Sequence, residues 1–176
     1  MEVASTIVVF KEIEKGFSLN DTPVGAILRI ENGENEAHFT FSVVNSCRVS
    51  GGEYYLYVIG DSGKVYDFNL GKKCVLFKGE VEERITFSNN LSCGLVYKGE
   101  NELKVVAYSS DKRSVSLSTF KSIISSNLKE SEYDDDAVAT ENYYDYEEEI
   151  QQKIDRISKQ EQQFHSKDEE LNDISE

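Results

Sequence analysis

Between residues 5 and 108 apolar and polar side chains alternate in run after run, with a turn signal every few residues and no segment at helical spacing. Alternation of period two places successive side chains on opposite faces of an extended chain. The pattern therefore demands short, half-buried strands joined by tight turns. Ser5 to Lys11 (STIVVFK) opens as a β-branched run, and Val24 to Glu31 (VGAILRIE) follows a loop carrying the only proline, Pro23. Asn32-Gly33 heads a hairpin signal. Beyond it Phe39, Phe41 and Val43 alternate with His38, Thr40 and Ser42, which puts His38 on the wet face.

The stretch Glu53 to Gly71, EYYLYVIGDSGKVYDFNLG, differs from its neighbours because its first strand is apolar on both faces. Tyr55, Tyr57 and Ile59 take one face while Tyr54, Leu56 and Val58 take the other, as expected of a central strand covered on each side or of a strand whose outer face binds something. The return strand separates Tyr66, Phe68 and Leu70 from Val65, Asp67 and Asn69. Further strands are predicted at 74–78, 84–87, 94–98 and 102–108, with Ser114 to Leu117 as an added edge strand. About eight short strands argue for an all-β domain, an antiparallel β-sandwich over residues 1–118. Phe120, Ile123, Ile124 and Leu128 then fall at helical spacing, predicting a short helix at 119–128 that caps the open end of the sheet core.

Charge divides the rest of the chain. Residues 1–128 hold 14 Lys/Arg against 16 Asp/Glu, whereas residues 129–176 hold 5 against 17, so nearly all of the net charge of −14 lies in the last quarter. Residues 129–139 are too acidic and too poor in aliphatic side chains to offset chain entropy, and are expected to be a disordered linker. Residues 140–174 are predicted as an amphipathic acidic helix capped by Thr140. Tyr143, Ile150, Ile157, Phe164 and Leu171 recur every seven residues, with Ile154 beside them, and form a candidate partner-binding stripe. The companion heptad position is mostly polar, so a free-standing coiled coil would be weak. The acidic runs favour a protein partner with a basic groove or helix over a homo-oligomer.

Several classes of function lack material. The only basic doublets are Lys72-Lys73 and Lys112-Arg113, too few to neutralise a phosphate backbone or to hold an anionic membrane surface. Two histidines, one on a strand surface and one in the tail, leave a Ser-His-Asp or Cys-His constellation almost nothing to be built from. Gly60 to Lys64 (GDSGK) lacks the spacing of a phosphate loop and is expected to be a hairpin turn. Asp134 to Asp136 lacks the glycine and terminal glutamate of a calcium loop. Cys47, Cys74 and Cys93 are odd in number and form no C-x-x-C, as expected of buried thiols in a reducing compartment. No catalytic residue, metal site or cofactor is predicted. The expected function is a non-enzymatic protein-interaction or assembly module; the alternative is a carbohydrate- or small-ligand-binding domain that stacks Tyr55 and Tyr57 on its ligand.

One resemblance bears on these expectations. The β-branched opening strand, the Gly-x-x-x-Arg-Ile-Glu segment formed by Gly25, Arg29, Ile30 and Glu31, and the Tyr-x-Leu-Tyr strand at Tyr54 to Tyr57 resemble the N-terminal β domain of uncharacterised proteins of clostridia and related Firmicutes. The likeness covers the first 110 residues, and the chain departs from that pattern after residue 128. It implies a cytoplasmic, sporulation-associated protein and supplies no activity or site residue.

Overall fold

The computed structural model describes residues 4–134, 151–156 and 159. The chain divides into two units, Met1–Asn127 and Leu128–Glu176. The first unit holds eight strands: β1 (Ser5–Glu12), β2 (Gly25–Asn32), β3 (Ala37–Val44), β4 (Gly52–Ile59), β5 (Val65–Gly71), β6 (Leu76–Val81), β7 (Ser92–Gly99) and β8 (Leu103–Ser109). A helix, α1 (Leu117–Asp134), begins in this unit.

All eight strands belong to one antiparallel sheet of order β5-β4-β7-β8-β1-β2-β3-β6. It has two four-stranded halves, β5-β4-β7-β8 and β1-β2-β3-β6. The joint is short: only Phe10, Lys11 and Glu12 of β1 pair with Ser109, Tyr108 and Ala107 of β8. That ladder makes a single continuous sheet of what the alternation pattern suggested would be two packed sheets. The sheet curls until its ends, β5 and β6, approach each other. Phe68 of β5 meets Phe77 of β6 at 5.4 Å and Phe39 of β3 at 4.9 Å between ring centroids, so side chains seal a nearly closed barrel.

The alternation sorts residues as period two requires. Val8, Phe10, Leu28, Ile30, Phe39, Phe41, Tyr54, Leu56, Val58 and Leu95 fill the interior. Tyr54 is fully buried, and its hydroxyl donates to the Cys47 carbonyl at 2.8 Å, which removes the penalty of an unpaired polar atom in the core. A bulge between β7 and β8 re-aims the second half of β8: Leu95 pairs with Ala107 and Val96 with Val105, leaving Val106 as the extra residue.

Three expectations are corrected. Arg84 to Phe87 is not a strand. Its β-branched and aromatic residues match strand composition, but the Ile85 backbone pairs with a side chain: the Asn32 amide donates to its carbonyl at 2.8 Å and accepts from its N–H at 3.0 Å. Ser114 to Leu117 is not an edge strand either. Ser116 is the N-cap of α1, its hydroxyl accepting the Thr119 N–H at 3.3 Å. The helix itself starts at Leu117 and runs to Asp134, into the expected linker, and its first turns, with Phe120 and Ile124, pack on the outer face of the sheet. Residues 135–139 of that linker lie outside the described residues.

Candidate interaction face

The outer faces of the two half-sheets are treated differently. On β4, β7 and β8 the outward side chains Tyr57, Ile59, Val96, Val105 and Tyr108 form a second core with Phe120 and Ile124 of α1. Tyr108 packs on Phe120 at 4.8 Å between centroids, and its hydroxyl donates to the Val115 carbonyl at 2.7 Å. The outer face of β4, β7 and β8 is therefore dry beneath α1, while Asp67 and Asn69 of β5 stay exposed at its margin.

The half made of β1, β2, β3 and β6 has no such cover among the described residues. Its outward side chains include Ile7 (62% exposed), Val9 (50%), Ile27 (51%), Val44 (58%) and Leu76 (59%), with Val75 (63%) just ahead of β6. The ladder brings them together: Val9 lies opposite Ile27, Ile27 opposite Ser42, and Ser42 opposite Leu76, a row that crosses all four strands. One row along, Ile7, Arg29, Thr40 and Lys78 are neighbours; on the other side Gly25 lies opposite Val44. Single exposed apolar residues are ordinary, but a contiguous group exposing on the order of 500 Å² matches the largest patches on monomeric proteins, which are often functional.

Charges of both signs border this row. Arg29 pairs with Glu31 at 2.7 Å. His38 lies between Glu36, 3.0 Å from its Nε2, and Glu80, 3.6 Å from its Nδ1. The two ring nitrogens face different carboxylates, so the three groups do not converge on one point as metal ligands must. A shallow cleft of about 360 Å³ runs over His38, Phe39, Thr40, Lys78, Gly79 and Glu80. With apolar side chains, both charge signs and no buried acid or base, the face is equipped for binding a surface.

The residues singled out by sequence fall elsewhere. Tyr57 is 1% exposed, and burial pushes its hydroxyl pKa upward, with the nearby Asp67 adding to the shift. It cannot offer a ring face to a ligand, because α1 occupies that side of the strand. Tyr55 is half-buried at the margin of the same layer, with its ring centroid 6.3 Å from that of Tyr57, Lys98 over it at 5.8 Å, and the Asn69 amide donating to its hydroxyl at 3.2 Å. Of the tail stripe, Ile154 lies in a helical stretch at 151–156 and is 49% exposed. Tyr143, Ile150, Ile157, Phe164 and Leu171 lie outside the described residues.

No family model, curated relative or solved structure matches the chain. Function must therefore be argued from geometry. The exposed face did have a signal in the sequence: Ile7-Val8-Val9-Phe10 is apolar on both faces, the same property that drew attention to the tyrosine strand. In β4 the second face was needed for α1; in β1 nothing described uses it.

GDSGK forms the β4–β5 turn. Gly63 adopts a φ of 75°, and its N–H donates to the Gly60 carbonyl at 3.1 Å. Asp61 turns its carboxylate onto the 88–90 loop, accepting N–H bonds from Ser88, Asn89 and Asn90 at 2.9, 2.8 and 2.6 Å. Those bonds hold its pKa below the usual carboxylate range. Its role there is to fasten a loop.

Proposed function

We propose that this chain is a non-enzymatic protein-interaction or assembly module that binds through the outer face of β1, β2, β3 and β6. One observation carries the reading: Ile7, Val9, Ile27, Val44, Val75 and Leu76 remain exposed together, while Tyr57, Ile59, Val96, Val105 and Tyr108 of the other half-sheet are packed under α1. Leaving six large aliphatic side chains in water forgoes the roughly 25 cal/mol per Å² that burial returns. A partner surface recovers it. The acidic tail, with Ile154 exposed, serves as a second contact element toward a basic groove or helix.

Because the six aliphatic side chains are exposed, they can be altered without touching the core. The test is a full-length chain in which Ile7, Val9 and Ile27 are all threonine, which keeps β-branching and strand propensity. The variant is expected to retain the thermal midpoint of the unaltered chain while a tagged copy in cell lysate migrates at a smaller size. Identical migration of the two would defeat the proposal.

A further inference from the structure

We propose that residues 82–90 form a lid on the end of the barrel where β4 turns into β5, and that this lid lifts as one unit, with the 60–64 turn as its clasp. The segment joins β6 to β7 and belongs to none of the eight strands. Among the described residues its one bond from main chain to main chain is that of the Asp61 N–H to the Thr86 carbonyl, at 2.8 Å. The remaining fastenings all involve a side chain.

The clasp supplies most of them. The Asp61 carboxylate accepts from the N–H groups of Ser88, Asn89 and Asn90, the Gly60 carbonyl accepts from the Asn90 amide at 3.2 Å, and Lys64 pairs with Glu83. Away from the turn, Asn32 holds both backbone groups of Ile85, and the Arg113 guanidinium donates to the Phe87 carbonyl at 2.8 Å. One short turn therefore grips the segment over 83–90.

Lifting the lid uncovers little. Glu82, Arg84, Thr86, Ser88 and Asn89 are already exposed and Phe87 is half-buried; Ile85, at 3% exposure, is the lid residue that belongs to the interior cluster. A segment with few buried apolar side chains and solvent-exposed hydrogen bonds opens at a lower free energy than the core it covers. The packing around it is also uneven. A cleft of about 420 Å³ is lined by the stretch 84–88 together with Ala4 and Asn32. Against Gly60 the fit is tight: a methyl group there would lie 2.6 Å from the Thr86 carbonyl oxygen and 2.9 Å from Ile85 Cγ2. Lifting withdraws Ile85 from the interior and opens that end of the barrel to solvent.

The experiment is amide hydrogen exchange followed by NMR on the full-length chain, beside full-length Asp61→Asn and Gly60→Ala. In the unaltered chain the N–H groups of Ile85, Ser88, Asn89 and Asn90 are expected to share one opening free energy, below that of the β4 and β7 ladder. Asp61→Asn removes the charge to which three of these groups donate, and should speed exchange at all four by about tenfold or more. Ile85 is the decisive amide. Its N–H is held by Asn32 and not by Asp61, so its acceleration reports the lid moving as a unit. Gly60→Ala, whose methyl would meet the lid at Thr86 and Ile85, should speed the same four. Exchange of all four only through the unfolding that opens β4 and β7 overturns the inference. So does a variant that speeds Ser88 to Asn90 and leaves Ile85 unchanged, or a pair of variants that changes none of the four.

Discussion

The ring of Phe120 lies directly on the backbone of Gly94, so closely that a methyl group on that glycine would come within 2.6 Å of the ring edge. This contact is where α1 seats on β7. Gly94→Ala must either displace the ring or lift the helix, and is expected to cost about 1–3 kcal/mol, the range for overpacking a filled site. Phe120→Ala is expected to cost about 3–5 kcal/mol. The two changes should not add: in Phe120→Ala the new methyl has space, so the double variant should lie close to the single Phe120→Ala in denaturant unfolding.

Tyr55 and Tyr57 should separate cleanly. Tyr57, at 1% exposure beneath α1, is expected to lose about 3–5 kcal/mol on change to alanine. Tyr55, half-buried at the margin, is expected to lose about 1 kcal/mol, the central cost of a point substitution. Equal losses in thermal or urea unfolding would mean that the two rings share one environment, against their placement at the margin and beneath the helix.

Asn32 closes a ladder that no strand completes. It is 4% exposed and holds both backbone groups of Ile85. Asn32→Ala leaves those groups unpaired beside the core, at a cost of about 1–3 kcal/mol. Limited proteolysis should then cut the 82–90 segment first. Cleavage that begins elsewhere, with that segment still protected, would show that the amide is dispensable.

Acid sensitivity should trace to two aspartates. The Arg113 guanidinium donates to Asp111 from Nε and Nη2, both at 2.8 Å, and holds the Asp111 carboxyl at about 2, below its ordinary 3.8; Asp61 is lowered by its three backbone donors. A carboxyl with a depressed folded pKa binds its proton more weakly in the native state than in the unfolded chain. Its contribution to stability is therefore complete above the unfolded pKa and disappears as pH falls through the folded one. Stability should decline between about pH 4 and pH 2, and Asp111→Asn should flatten that decline. A melting profile in that window that is the same with and without Asp111 would contradict the assignment.

Strand positions were legible because alternation is a local property: β1 to β5, β7 and β8 fall where period two puts them, and β6 is displaced by about two residues because Cys74-Val75 is as apolar as Leu76-Phe77. What lay beyond the sequence depended on pairing at a distance. Nothing in Cys74 to Lys78 says that its neighbour will be β3, and nothing in Phe10 to Glu12 says that three residues will join two half-sheets. The stripe of Phe120 and Ile124 announced a covered surface without saying which one, since the decisive residue, Gly94, has no side chain to signal it. Arg84 to Phe87 misled because strand composition does not reveal that the pairing partner is an amide side chain. The exposed apolar face was visible in Ile7 to Phe10 as apolarity on both sides, a pattern that sequence cannot divide into a face covered by the same chain and a face left bare.

Site-specific photo-crosslinking tests most directly whether the face of β1, β2, β3 and β6 is the one left for another chain. A photoreactive side chain is placed in the full-length chain at position 27, in the middle of the exposed face, or at position 122, on the solvent side of α1, and the protein is irradiated in living cells. The expected result is a discrete covalent protein adduct from position 27 and none from position 122, with the mass of the adduct showing whether the partner is a second copy. No adduct from position 27, or the same adducts from both positions, would contradict the proposed role of the face.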